Sequence, residues 1–267
     1  MANDFDTVDC FDVMDLDVLE RQPTLKDRHR SPRRFDQSEL TVRQHGRYAH
    51  RDYMAHFFRW CQVKSAVTPA SQVLDVGCGT EQPLTKVLTQ LQGHVPKLYV
   101  GVDLNPITRP DGHTWARTHA EFNFIERWEE LEKAYGAVFT VATCFEVIEH
   151  MARPDGEDLL FGIHALLAGG GVLYLSTPVF SGRAAAAHIH EYTVAELTEM
   201  ILAAGFEVVQ RAGTFADVNR LKPVLSDAER TLWDAWKHRL GNEGLSVVFA
   251  TLHPDESKNN LWILRKT

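Results

Sequence analysis

Val73-Leu74-Asp75-Val76-Gly77-Cys78-Gly79-Thr80 decides how this 267-residue chain folds. Gln72 to Val76 is a short apolar, β-branched run stopped by glycine, and it predicts a buried strand. Gly77 and Gly79 let the backbone turn tightly and let a ligand approach the main chain. Pro83 sits early in a following helix, where its missing N–H costs little. Leu84, Val87, Leu88 and Leu91 recur at i, i+3, i+4 and i+7, an apolar stripe suited to packing on a sheet. Strand, glycine turn and helix together predict a nucleotide-type site at the carboxyl end of a parallel strand.

A dinucleotide fingerprint places a third glycine beside the pyrophosphate. Here that position is Gln82. A second strand, Lys97 to Val102, ends in Asp103, whose carboxylate suits both ribose hydroxyls of a nucleoside. Asp103 lies 26 residues after Gly77, somewhat beyond the roughly 20 of a dinucleotide fold. Nucleoside recognition without a pyrophosphate glycine points to S-adenosylmethionine (SAM).

VLDVGCGT, YVGVDLNP, FEVIEHM and LLAGGGVLYLSTP, in that order, resemble motifs of class I SAM-dependent methyltransferases. They resemble most the branch of ubiquinone-biosynthesis O-methyltransferases and their small-molecule relatives. The resemblance runs from about Gln72 to Phe206. It implies an α/β fold: a doubly wound, mostly parallel seven-stranded sheet with an antiparallel last strand and an N-terminal helical extension. It also implies SAM as cofactor, held by Tyr53, Asp75, Gly77, Cys78, Gly79, Asp103, Leu104, Asn123 and Phe145. In the family a helix before the first strand closes over the cofactor, which makes Tyr48, Arg51, Tyr53 and His56 candidates. Glu81-Gln82-Pro83 departs from the glycine with which many relatives continue.

Methyl transfer from a sulfonium is an in-line displacement, so alignment supplies much of the rate. A hydroxyl acceptor also gains from a general base. Active sites of open α/β sheets lie beyond the carboxyl ends of the strands. Two clusters meet that condition: Glu146, Glu149 and His150 after the fourth strand, and His188 and His190 after the fifth. Histidine accepts a proton best near neutral pH. His150, His188 and Glu149 are therefore the candidate catalytic residues, acting on a hydroxyl or amine of a small-molecule acceptor, and no metal is expected. Two other readings stay open. Glu-x-x-Glu-His with a later histidine also resembles the metal site of small-RNA 2′-O-methyltransferases. Glu146, Glu149, His150 and His188 or His190 would then be oxygen and nitrogen ligands of Mg²⁺ or Mn²⁺. The other reading is a SAM-binding protein without transferase activity.

The composition, 44% hydrophobic and 24% charged, is that expected of a soluble globular protein. A net charge of −8 disfavours a bulk nucleic-acid binder, but the charge is unevenly spread. Residues 1–20 hold seven acids and no Lys or Arg, whereas residues 21–51 hold nine Lys or Arg against three acids. A basic arm suits phosphates, so nucleic acid stays the secondary partner. The arm 1–40 is expected to precede a methyltransferase domain at 41–267 with a helical insertion at about 215–258. No apolar run approaches the length of a membrane span, and the acidic N-terminus lacks the regions of a signal peptide. Cys10, Cys61, Cys78 and Cys144 have no paired spacing, so a reducing cytoplasm is the expected compartment.

The other elements follow from pattern. Residues 45–65 predict an amphipathic helix around Tyr53, Phe57, Trp60 and Cys61. Phe122-Asn123-Phe124 predicts a third strand, and in the resembling family the end of that strand meets adenine, hence Asn123. A helix over Glu126–Tyr135, a central strand over Ala137–Phe145 and a helix over Asp155–Ala168, ended by three glycines, come next. Strands are predicted at Val172–Ser176, Phe206–Gln210 and Leu261–Leu264. Thr193-x-x-Glu196 and Ser226-x-x-Glu229 read as capping boxes that open helices. Leu245–Leu252 fits strand and helix equally.

Overall fold

The computed structural model describes residues 51–90, 95–107 and 113–267. The arm 1–40, Tyr48 and Leu91 lie outside the described residues, as do the side chains of Arg51 and Tyr53. Helix α1 (Arg51–Ala66) leads into β1 (Gln72–Val76) and α2 (Pro83–Gln90). Strands β2 (Leu98–Val102) and β3 (Ala116–His119), helix α3 (Phe124–Tyr135) and β4 (Phe139–Phe145) follow. Then come α4 (Arg153–Leu166), β5 (Leu167–Pro178), α5 (Val194–Ala203) and β6 (Phe206–Ala216). Helices α6 (Val218–Val224) and α7 (Asp227–Ala250) separate β6 from β7 (Ser257–Lys266).

The strands form one seven-stranded sheet in the order β3-β2-β1-β4-β5-β7-β6. The pairs among β1 to β5 are parallel, and β7 is antiparallel to both β5 and β6. This is the doubly wound sheet that the motifs imply. Strand order reverses between β1 and β4, the switch point where such sheets bind ligands beyond the strand ends.

Alternation along β1 sorts its residues between two layers. Leu74 and Val76 join a core with Leu131 of α3, Leu159 and Ile163 of α4, and Leu197 of α5. Val73 joins Trp60 and Val63 of α1 and Leu84 and Leu88 of α2 on the opposite face. Asp75 shares the side of Val73, so its carboxyl enters the α1/α2 layer. A third cluster, with Leu221, Trp233, Leu245 and Phe249, closes α6 and α7 onto the end of β6.

The structure departs from the sequence reading in two places and decides a third that was open. Phe122–Phe124 is not a strand: β3 is Ala116–His119, and Phe122 and Phe124 are buried anchors where α3 begins. Two aromatics around one polar residue satisfy a strand period and a helix entrance equally, so three residues could not separate the two. Gly169–Gly171 does not end α4 but lies inside β5, which starts at Leu167. A register shift between Phe139 and Val141 on β4 accommodates that run. Leu245–Leu252 is helical as far as Ala250, because α7 resumes after a kink at Gly241, where φ is 65°. Among the described residues no helix is long and apolar enough to cross a membrane.

Candidate active site

The turn after β1 is built on positive φ angles, +74° at Gly77 and +76° at Gly79. The N–H groups of Gly77 and Cys78 both donate to the Val102 carbonyl, at 2.9 and 3.1 Å. The Gly79 N–H donates to Asp103 Oδ2 at 2.9 Å, and the other Asp103 oxygen accepts from the Asn105 backbone and side chain. Asp103 is buried, so the turn and the end of β2 form one rigid cradle around that carboxylate. Phe122 N–H donates to the Asp103 carbonyl at 2.9 Å. That bond brings half-buried Asn123, the residue before α3, to the same rim. Leu104 stands 67% exposed beside it, an apolar surface suited to a purine face. Cys78 turns away: its side chain is buried against Gly101 of β2, so only its backbone belongs to the turn. Phe145 ends β4 and packs partly buried on the α1/α2 face.

Gln82 is the unusual member. It is 0% exposed, it adopts a φ of +49°, and neither amide atom has a partner among the described residues. A buried polar group without a partner costs about 1–3 kcal/mol, and a non-glycine residue in the left-handed region costs a further ~1–3 kcal/mol.

Asp75 accepts hydrogen bonds from Tyr99 Oη at 2.7 Å and Thr143 Oγ1 at 2.6 Å. These bonds stitch β1 to β2 and β4. Burial nevertheless pushes its carboxyl up from the ordinary range to about 6, against the two hydroxyls. Between pH of about 4 and 6 the folded state therefore holds a proton that the unfolded state has released. Stability from this group is full below that window and is lost as pH rises through it. At neutral pH the loss is on the order of 3 kcal/mol. Asp75→Asn should therefore stabilise the protein at pH 8 and change little at pH 4, as read by urea melts at both.

Glu146 leaves β4 in the left-handed region, with a φ of 56°. Its carboxylate meets Arg59 of α1, which also donates to Ser176 Oγ at 2.8 Å. Ser176 Oγ donates to Glu146 at 2.7 Å, and Asn259 Nδ2 reaches both carboxylate oxygens at 3.0 and 2.9 Å. Burial works to raise the Glu146 carboxyl, but Arg59, Asn259 and Ser176 outweigh it and hold it below its ordinary value. Burial and the Arg59 charge push neighbouring His56 down to about 3, so that ring is neutral. The network pins α1 to the ends of β4, β5 and β7. Arg59→Met would leave the carboxylate without its cation. Side-chain exposure is 3% for Arg59 and 28% for Glu146, so the low end of the usual buried-pair penalty applies. The expected loss is about 3 kcal/mol, a fall in Tm of roughly 6–12 °C. Glu146→Gln in the same chain should recover most of it in a thermal melt.

Beyond Glu146 the chain makes a 3₁₀ turn, Ile148–His150. Glu149 is buried; Thr177 Oγ1 donates to one oxygen at 3.1 Å, and the other has no partner among the described residues. Burial, then the Glu146 charge, raises its carboxyl well above the ordinary range. The Glu149 carbonyl accepts from Ile189 N–H and His190 N–H at 2.9 and 3.2 Å, which fastens the 181–191 loop over the turn. His188 in that loop therefore meets His150, ring edge to face, with centroids 5.1 Å apart. His188 Nδ1 lies 2.6 Å from Glu191 Oε1, and His150 Nδ1 lies 3.1 Å from the Ala187 carbonyl. A carboxylate and a carbonyl only accept, so the neutral form of either ring carries its proton on Nδ1 and its lone pair on Nε2. Ligand-type atoms of Glu149, His150 and His188 lie within 4.8 Å of one another. Glu146 is not in that group. His190 turns away to Glu196, at 2.9 Å, and meets Tyr192 edge to face. The sequence reading thus named three residues that the fold brings together, and missed Glu191, Arg59 and Asn259.

A glycine turn against a buried carboxylate, set at the switch point of this seven-stranded sheet with its antiparallel β7, matches a class I methyltransferase domain. A family model described as a methyltransferase domain matches residues 42–211, and the chain belongs to that family. It is a SAM-dependent methyltransferase. Among solved structures it is similar to the 1,6-didemethyltoxoflavin-N1-methyltransferase of Burkholderia thailandensis, solved with 1,6-didemethyltoxoflavin and S-adenosylhomocysteine. That likeness is 21% identity over 86% of each chain, with a TM-score of 0.53. A SAM-dependent methyltransferase from Archaeoglobus fulgidus is 15% identical, with 86% of this chain and 100% of that one covered and a TM-score of 0.54. The StiE O-MT is 16% identical, with 91% and 81% covered and a TM-score of 0.51. These likenesses are of fold. No curated protein matches the sequence. The residues present fit the cofactor: Asp103 for the ribose, the glycine turn for close approach, and an orphaned buried amide at Gln82.

Proposed function

We propose that the chain methylates a hydroxyl, or alternatively an amine, of a small-molecule acceptor, with His188 as general base. The observation that carries this reading is the meeting of Glu149, His150 and His188 within 4.8 Å beyond the ends of β4 and β5. Asp103 and the turn Gly77–Gly79 would hold SAM, which when bound supplies a methyl group already activated on a sulfonium. Glu191 fixes the His188 tautomer and stabilises the imidazolium that forms when Nε2 takes the acceptor's proton. Glu149, whose carboxyl keeps one oxygen without a partner among the described residues, faces the acceptor's space, and His150 lines it too. Phe180 and Ile189, exposed at the loop, suit an apolar acceptor better than a phosphate backbone. Structures of this fold carry both N1- and O-methyltransferase names, so the fold is compatible with either acceptor atom. The finer kinship with ubiquinone-biosynthesis O-methyltransferases rests on motif order.

One observation favours a second reading. Glu149, His150 and His188 together form a donor set of one oxygen and two nitrogens, suited to Mg²⁺ or Mn²⁺. Such an ion would activate an RNA 2′-hydroxyl, and the basic stretch 21–51 would meet phosphates. The deciding experiment incubates the full chain with SAM and small hydroxylated or amino metabolites, nucleotides or RNA, and follows S-adenosylhomocysteine. Turnover on a small molecule is expected; turnover on RNA alone would overturn the first reading.

A further inference from the structure

We infer that the acidic leader, residues 1–20, docks in the same molecule on an apolar stripe along the first half of α7. Leu232, Trp236 and Leu240 recur at i, i+4 and i+8, so they share one face of the helix. They stand 52%, 45% and 43% exposed. Between Ser226 and Glu243 only Trp233 is buried, so this half of α7 is held to the body by a single anchor. A helix of about 14 residues held so lightly is marginal in water. An indole between two leucines is an apolar patch of the kind that marks an interaction face, and Trp is prominent among the residues that carry binding energy.

Position and charge choose the occupant. The arm joins the described structure at Arg51, where α1 begins, and Met54 of α1 borders α7. A Cβ built on Gly244 would lie 3.5 Å from Met54 Cε and 3.3 Å from Leu240 Cβ. The arm therefore enters α1 beside one end of the stripe. Residues 21–50 separate the leader from that point, and a flexible link of this length spans on the order of 30 Å. The stripe itself, from Leu240 to Leu232, is about 12 Å long. The leader holds seven acids and no Lys or Arg, with Phe11, Val13, Met14 and Leu16 set among them. Residues 218–240 hold five Lys or Arg against three acids, in a chain whose net charge is −8. Two of those acids are already engaged: Glu229 caps α7 and meets His253, and Asp234 pairs with Lys237. The Arg239 guanidinium lies over the Trp236 ring, 5.6 Å from its centroid, so a cation borders the stripe itself. A segment that mixes carboxylates with apolar side chains complements that face, whereas the α7 of a second copy would bring like charges together. Docking would also tie the basic stretch 21–50 at both ends, turning a tail into a closed loop beside α1.

The test is amide hydrogen exchange across Asp227–Glu243 in the full chain, with sedimentation at several protein concentrations. Wild type should exchange there about 10-fold or more slowly than a chain carrying Phe11→Ser, Met14→Ser and Leu16→Ser together. Trp236→Ala should lose the same protection, and adding the three leader changes to it should cost nothing more. Alanine is the best helix former, so on a helix with no partner Trp236→Ala would hold or raise protection, and that result would overturn the inference. So would leader changes that leave α7 exchange as it was, which is what a leader paired with the basic stretch 21–51 predicts. Protection that grows with protein concentration, beside a dimer in sedimentation and indifferent to the leader, would give the stripe to a second copy instead.

Discussion

Alanine at His188 is expected to lower kcat by about 10²–10⁴-fold, the usual worth of a positioned general base, with affinity for S-adenosylhomocysteine unchanged. His188 reaches the site on a loop, not on the cradle, so the cofactor contacts survive its removal. The acidic limb of the pH–rate profile should flatten, because that limb reports protonation of the base. Glu191→Gln retains an acceptor for Nδ1 but removes the charge that favours the imidazolium, so kcat should fall by less than in His188→Ala. EDTA should leave the wild-type rate unchanged. If EDTA stops turnover, Mn²⁺ restores it and Glu149→Ala fails in the same way, then Glu149, His150 and His188 are ligands, and the RNA 2′-hydroxyl reading replaces this one.

The strands and helices of the sheet's βα units were legible because each unit announces itself locally. Val73–Val76 into Gly77, and Leu98–Val102 into Asp103, are short apolar runs ended by residues that stop a strand. Caps carried the helices: Thr193 accepts from Glu196 N–H, and Ser226 forms the full reciprocal box with Glu229. What failed were segments whose pattern is too short or shared by two structures. Phe122–Phe124 spans three residues. The triple glycine after α4 reads as a helix stop, yet pairing with β4 takes it into a strand, since tertiary hydrogen bonding overrides local preference.

The site was legible only where its chemistry is local in sequence. Glu149 and His150 share one turn, and Gly77, Gly79 and Asp103 belong to two neighbouring βα units. Arg59 and Glu146 are 87 residues apart, and Asn259 lies 113 residues beyond Glu146, so no spacing rule connects them. That network also explains why the four-ligand reading of Glu-x-x-Glu-His weakens in the structure. Glu146 spends its carboxylate on α1 and β7, and only Glu149 and His150 of the motif face His188. Glu191 was readable in principle, three residues after His188, as a carboxylate able to hold an imidazole.

Valine at Gly79 should leave a folded protein that binds S-adenosylhomocysteine more than about 100-fold more weakly, whereas even alanine at Gly77 should damage the fold. The two glycines share a positive φ but not a neighbourhood. A Cβ on Gly79 would meet only Pro83 Cδ, at an ordinary 3.6 Å, so there is room. A β-branched residue is nevertheless barred from that backbone region. The turn must open, and the Gly79 N–H that holds Asp103 Oδ2 is lost with it. A Cβ on Gly77 would lie 2.3 Å from Val147 Cγ2, inside any permissible contact. Val147 is packed against the main core, so it cannot simply swing away. Overpacking of about 1–3 kcal/mol adds to a left-handed penalty of about 1–2 kcal/mol. The Tm of Gly77→Ala should therefore fall by on the order of 10 °C. Adding Val147→Ala removes the colliding methyl and should return much of that loss, leaving only the backbone penalty. Circular dichroism melts and calorimetric titrations on the four chains read both effects. Normal binding by a folded Gly79→Val would show that this turn does not hold the cofactor. A Gly77→Ala melt that Val147→Ala fails to improve would show that the clash is not what makes Gly77 necessary.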